Sequence, residues 1–173
     1  PARLRRVVVA VDPSGGSAET GIVVAGVDSR GHGWVLADLS MSGASPNAWA
    51  QRVADATEEW RADRVVAETN FGGAMVEATL RSVAPQLPFK ALTASRGKIP
   101  RAEPVAALYE QQRVSHVGRW ARLEDQMCTY TPEDKVSPDR MDALVWALTE
   151  LMVARRQVPD VSPGGVTSGS HWR

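Results

Sequence analysis

The chain has a single cysteine, Cys128, and three histidines. One thiol excludes an internal disulfide and any zinc site built from cysteines, and His32, His116 and His171 lack the spacing of a metal-binding pair. This usage fits a reducing, cytosolic setting, with Cys128 expected as a small buried hydrophobe. No run approaches the roughly 20 apolar residues that a membrane helix needs, and no leader of charged, apolar and small residues opens the chain. A soluble protein with no membrane partner is expected. An excess of either charge is also lacking: 20 basic and 20 acidic residues cancel, which removes the overall basic signature of many nucleic-acid binders and leaves local patches to carry any such role. Lysine occurs only at Lys90, Lys98 and Lys135. The pattern G-x-x-x-x-G-K-[ST] is missing, because Gly97-Lys98-Ile99 lacks the required Ser or Thr, so there is no phosphate-cradling P-loop.

What is present is a globular composition, 173 residues at 43% hydrophobic, enough for one domain with a sizeable core. Arg6-Val7-Val8-Val9-Ala10-Val11-Asp12 is an unbroken β-branched run that ends in a carboxylate. Continuous apolarity of this kind predicts a strand buried on both faces, in the middle of a sheet covered by helices. Two further strands are predicted at Thr20 to Val27 and Gly33 to Leu39, joined by a tight turn and forming an antiparallel meander with the first. Ser45-Pro46 then caps a helix running to about Trp60. Asp63 to Glu68 reads as a short strand that again ends in an acid, followed by a helix from Gly73 to Val83 and a strand at Phe89 to Thr93. Arg96-Gly97-Lys98-Ile99-Pro100-Arg101 reads as a loop with three positive charges. Helices are expected from Ala102 to Gln112 and from Arg119 to Met127, with a brief extended piece at Arg113 to His116 between them. A last helix opens at Ser137-Pro138, with its apolar stripe on Met141, Leu144, Val145, Leu148, Leu151 and Met152. Residues 1–156 form the expected domain. Residues 157–173, rich in Pro, Gly and Ser, form an expected flexible tail.

A meander followed by alternating strand and helix predicts an α/β fold of the ribonuclease H-like kind, a mixed sheet with helices on both faces. In that topology the first and fourth of these strands are neighbours, so Asp12 and Glu68 meet at one end of the sheet and the last helix can bring in Asp142. Three carboxylates at one point repel one another unless a cation neutralises them. Oxygen ligands without a His or Cys cluster select Mg²⁺ or Mn²⁺, and two such ions suit an in-line displacement at phosphorus. The opposing readings are that Asp12 and Glu68 are ordinary polar strand ends, and that Asp139 and Asp142 are dipole partners at a helix N-terminus. Helical phase places Asp139 opposite the apolar stripe and Asp142 on its flank, which favours Asp142 as a ligand and leaves Asp139 as an auxiliary acid. Arg96, Lys98 and Arg101 are the best local cationic cluster for phosphate contact.

The runs Ala67-Glu68-Thr69-Asn70, Gly97-Lys98 with Arg101, Leu108-Tyr109-Glu110-Gln111, Arg113-Val114-Ser115-His116, Leu123-Glu124-Asp125-Gln126-Met127 and Ser137-Pro138-Asp139-Arg140-Met141-Asp142-Ala143-Leu144-Val145-Trp146-Ala147-Leu148 together resemble the C-terminal nuclease domain of phage terminase large subunits. The resemblance spans roughly Val7 to Met152, and the last motif is its most specific part. It implies a metal-dependent endonuclease that cuts concatemeric double-stranded viral DNA during packaging, in the cytoplasm of an infected bacterium, with Asp12, Glu68 and Asp142 as the acidic triad. It also implies an N-terminal packaging ATPase in the full-length protein, with portal and small-terminase components as partners. The alternatives are another ribonuclease H-like nuclease of the Holliday junction resolvase or transposase type, a non-catalytic DNA-docking module, and an actin-like nucleotide-binding half. The last would need a second half for which 173 residues leave no room.

Overall fold

The structure, a computed structural model, describes residues 3–13, 19–69, 73–93, 97–134 and 138–153. Arg96 and the expected tail lie outside the described residues. The elements in order are β1 Leu4–Asp12, β2 Glu19–Asp28, β3 Gly33–Asp38, β4 Met41–Ser42, α1 Pro46–Glu59, β5 Arg64–Glu68, α2 Gly73–Val83, β6 Phe89–Leu92, α3 Lys98–Glu110, β7 Val114–His116, α4 Ala121–Thr129 and α5 Asp139–Leu148, which runs into a π-helical turn at Thr149–Val153. The sheet order is β6-β5-β1-β2-β3-β7, with the short β4 paired to β2. β1, β2 and β3 are antiparallel, while β5 is parallel to β1, β6 to β5 and β7 to β3. This is the expected α/β mixed sheet.

β1 is central, and its two faces explain its composition. Val7, Val9 and Val11 join the core under α1 and α2, while Val8 and Ala10 join the core under α5. Alternation along a strand therefore turns Asp12 toward the α5 side. Each fully buried valine contributes about 1.5–3 kcal/mol of transfer free energy, so neither face tolerates a polar residue until the strand ends.

α1 starts where its sequence signals place it: the Ser45 hydroxyl accepts from the Ala48 N–H at 3.2 Å, with Pro46 in the first turn. α3 departs from expectation. The segment read as a cationic loop up to Arg101 is helical from Lys98, so Lys98 and Arg101 lie on the first turn of α3. Pro100 looks like a breaker, yet in a first turn no intrahelical N–H is required of it.

α5 packs across β1, β2 and β5, and α3 and α4 pack on α5 in turn. All ten of its residues are buried. Its far end is neutralised by ion pairs: the buried Glu150 accepts from Arg6, from Lys90 at 2.7 Å and from Arg64 at 3.4 Å. Near its start, Arg140 is enclosed by Asp38 and Glu19, each at 2.5 Å. These two clusters pin the helix at both ends over the sheet. Cys128 is exposed, contrary to expectation, because its turn of α4 faces solvent.

Candidate active site

β1 and β5 are parallel neighbours, and their register ends at Val11 opposite Ala67. Asp12 and Glu68 are the next residues along, so two strand ends present carboxylates side by side at the same edge. On the other side of β1, Asp12 pairs with Gly21 of β2. A Cβ on Gly21 would lie 1.9 Å from the carbonyl oxygen of Asp139, a distance no side chain allows. Glycine at this position lets the N-terminus of α5 descend onto the sheet beside Asp12, which brings in Asp139 and Asp142. An isolated glycine inside a strand pattern is a signal of close backbone approach, and Gly21 is the trace of this contact in the sequence.

The electrostatics of the cluster follow from this crowding. Burial pushes the Asp12 carboxyl up from 3.8 to about 8; the charges of Asp142 and Asp139 add to the effect, Glu68 adds less, and Lys98 opposes them. Asp139 and Asp142 are equally buried, each 2% exposed. The helical-phase distinction between them therefore does not hold, because α5 is covered on every side and has no solvent face for Asp139 to occupy.

Lys98 and Arg101 stand among these acids. The Lys98 ammonium donates to Asp142 Oδ2 at 2.5 Å, and Arg101 Nη1 donates to Glu68 Oε2 at 3.0 Å. Arg101 Nη2 lies 3.6 Å from Asp142 Oδ1, and the guanidinium carbon sits 4.6 Å from the ring centroid of Trp146. Trp146 thus packs against the site as well as within the core. Among the described residues no three metal-ligating side chains are gathered closely enough to hold an ion as they stand. Ammonium and guanidinium groups compensate Glu68 and Asp142 instead. The donor set nevertheless fits a hard divalent cation: every acid offers oxygen only, and their summed charge outweighs Lys98 at Asp12.

His116, which lacks the spacing of a metal-binding pair, instead has its two ring nitrogens against Tyr109 Oη at 2.8 Å and Glu124 Oε1 at 3.0 Å. That network ties α3, β7 and α4 together away from the four acids.

A mixed sheet of this order, with acids at the ends of β1 and β5 and on a helix crossing them, defines the ribonuclease H-like nuclease architecture. The family model described as the terminase RNaseH-like domain matches residues 9–151, and the chain belongs to that family. No curated protein matches the chain significantly. Among solved structures, the large terminase nuclease of thermophilic phage G20c with bound magnesium is similar over 86% of this chain and 84% of its own, at 17% identity and a TM-score of 0.67. The nuclease domain of the large terminase subunit of bacterial virus Sf6, in a mutant form with manganese, is similar over 83% and 88%, at 15% identity and a TM-score of 0.62. The yeast mitochondrial Holliday junction resolvase Ydc2 is similar over 85% and 79%, at 14% identity and a TM-score of 0.56. These likenesses concern the fold.

Proposed function

We propose that this domain is a metal-dependent endonuclease that cuts double-stranded concatemeric DNA during viral genome packaging, with Asp12, Glu68 and Asp142 as its catalytic acids and Asp139 as an auxiliary. The observation that carries this reading is the convergence of four carboxylates at one end of the sheet, where burial first and then the charges of Asp142 and Asp139 push the Asp12 carboxyl up to about 8. Such charge is costly to maintain in a protein with no use for it. Two Mg²⁺ or Mn²⁺ ions, when bound, would supply an activated water and stabilise the leaving oxygen of a phosphodiester. Asp12, Glu68 and Asp142 would hold them. The chain's own work is positional. Adjacent parallel strands fix the spacing of Asp12 and Glu68, the close approach at Gly21 fixes the start of α5, and Trp146 supports the guanidinium of Arg101 against Glu68 and Asp142.

Lys98 and Arg101, with Arg96, are the proposed phosphate contacts. A cation shared between carboxylates can be transferred to a phosphate oxygen when those carboxylates find another counterion. In this reading the family context supplies an N-terminal packaging ATPase, portal and small-terminase partners, and the cytoplasm of an infected bacterium. Among the described residues no helix is long and apolar enough to cross a membrane.

The test is plasmid cleavage by the purified chain with Mg²⁺ or Mn²⁺. Nicking and degradation at many sites, stopped by EDTA and absent in Asp12→Asn, is expected; activity that persists in EDTA would refute it. The similarity to Ydc2 favours a second reading as a junction resolvase. Competition between a synthetic four-way junction and linear duplex separates the two, since a terminase-type nuclease should cut both.

A further inference from the structure

At the opposite end of the sheet from the carboxylates lies a cavity of about 400 Å³, between the β2–β3 turn and the start of β7. Asp28, which lines it, pairs with Leu4, whereas Asp12 pairs with Gly21. Eight positions along β1 separate these levels, about 26 Å at roughly 3.3 Å per residue. The walls are formed by Arg30, His32, Trp34, Arg113 and Ser115, none of which the nuclease reading uses.

The site is rigidly built. Asp28 Oδ1 accepts from the N–H groups of Arg30 at 2.8 Å and His32 at 3.0 Å, and Asp28 Oδ2 accepts from Trp34 Nε1 at 3.2 Å. Gly31, at φ +82°, permits the turn. The acid is 5% exposed, so its charge is spent inward on the turn. His32 Nε2 and Ser115 Oγ are 3.0 Å apart and join the turn to β7, and the imidazole lies 4.8 Å from the Trp34 ring at 54°. Arg113 is anchored through its backbone: its N–H donates to Leu108 at 2.9 Å and its carbonyl accepts from the Gly33 N–H at 2.9 Å. Arg30 and Arg113 are both exposed, and neither guanidinium has an ion-pair partner among the described residues.

Arg30 and Arg113 line the same cavity, and a guanidinium fork is the side chain suited to phosphate oxygens. A tilted imidazole and indole beside them offer flat surface of the kind that bases stack on. The volume falls in the range of small-ligand sites. An acidic peptide would satisfy the arginines but would leave the rings without a planar partner. We propose that this pocket binds a nucleotide, its phosphate held by Arg30 and Arg113 and its base against His32 and Trp34, either as a free nucleotide or as one unit of an unpaired strand.

The proposal stands apart from the nuclease reading, so binding is measured in EDTA by calorimetry on the full chain, with plasmid cleavage scored separately. The probes are deoxyadenosine monophosphate, an oligothymidylate, inorganic phosphate, deoxyadenosine and an acidic peptide. The monophosphate or the oligomer should bind at least about tenfold more tightly than phosphate or nucleoside alone. Preference for the monophosphate identifies a free nucleotide as the source, and preference for the oligomer an unpaired strand. Arg30→Gln with Arg113→Gln should weaken that binding at least tenfold and, for the oligomer, flatten its salt slope by about 0.7 per arginine. His32→Gln keeps a hydrogen-bonding group near Ser115 and removes the ring, so it should weaken base-bearing ligands while leaving phosphate unchanged. Equal binding of phosphate and monophosphate, preference for the acidic peptide, failure of both the monophosphate and the oligomer to bind, or indifference to the arginine pair would overturn the proposal.

Discussion

The carbonyl oxygen of Asp139 occupies the space that a side chain on Gly21 would need, with 1.9 Å between it and the position of a Cβ. Because Gly21 is also the partner of Asp12, this contact sets how close two of the acids come to the other two. Gly21→Ala must push the start of α5 off the sheet, at a cost of about 1–3 kcal/mol for overpacking. The expected result is a folded protein whose nuclease activity falls by roughly 100-fold, as displacement of about 1 Å at a reacting centre can do. Retained activity together with unchanged stability would mean that the helix start is compliant.

Asp12 gives a pH signature in the absence of metal. Its carboxyl is raised from 3.8 to about 8, chiefly by burial and then by Asp142 and Asp139. Between about pH 4 and 8 the unfolded chain releases a proton that the folded chain keeps, so stability falls as pH rises through that window and levels off above it. In EDTA the melting temperature should therefore drop from pH 5 to pH 8. Asp12→Asn should show a shallower drop and melt higher than wild type at pH 8, while losing DNA cleavage. Parallel pH profiles for the two proteins would show that Asp12 is not the group under strain. The corresponding substitutions at Glu68 and Asp142 should also abolish cleavage. With Asp139 buried as deeply as Asp142, Asp139→Asn is expected to be damaging as well.

Removing Arg101 tests the counterions. Its side chain is 11% exposed and bridges Glu68 and Asp142, so Arg101→Gln leaves two acids poorly compensated. A loss of about 3 kcal/mol in EDTA is expected, toward the low end for breaking a buried pair. For a domain of this size that corresponds to roughly 6–12 °C in melting temperature. Millimolar Mg²⁺ should restore more stability to the variant than to wild type, because it replaces the missing charge. Equal gains in calorimetric scans would argue that the ion does not reach these carboxylates.

Glu150 should behave in the opposite sense to Asp12. Its burial would raise the carboxyl, but hydrogen bonds from Lys90 and Arg6 outweigh that and hold it below the usual range. Its contribution to stability is present above the ordinary carboxylate range and is lost as pH falls through it. Glu150→Gln should cost about 2 kcal/mol near neutral pH, after allowance for the partial exposure of the three cations. The difference from wild type should shrink in acid. Urea denaturation at pH 7 and pH 4 measures both values, and a constant difference would exclude the ion pairs as the source.

Much of the architecture was legible along the chain because strand burial is written locally. The unbroken run from Val7 to Val11 announced a central strand, the acids at Asp12 and Glu68 marked where two strands leave the core, and Ser45-Pro46 marked the start of α1. Periodicity reports which side of an element is apolar, and that sufficed to derive the mixed sheet and the meeting of its carboxylates. It could not report that α5 is enclosed by the sheet on one side and by α3 and α4 on the other, so that burial does not separate Asp139 from Asp142. Nor could it show that Lys98 and Arg101 belong to a helix whose first turn faces the acids, since residues more than thirty positions apart meet only through register and packing. The sequence by itself determined which residues could carry the chemistry, because propensity and alternation act between near neighbours. The tertiary structure alone decided which charges neutralise which, because that depends on Coulomb interactions over a few ångströms between elements brought together only by folding.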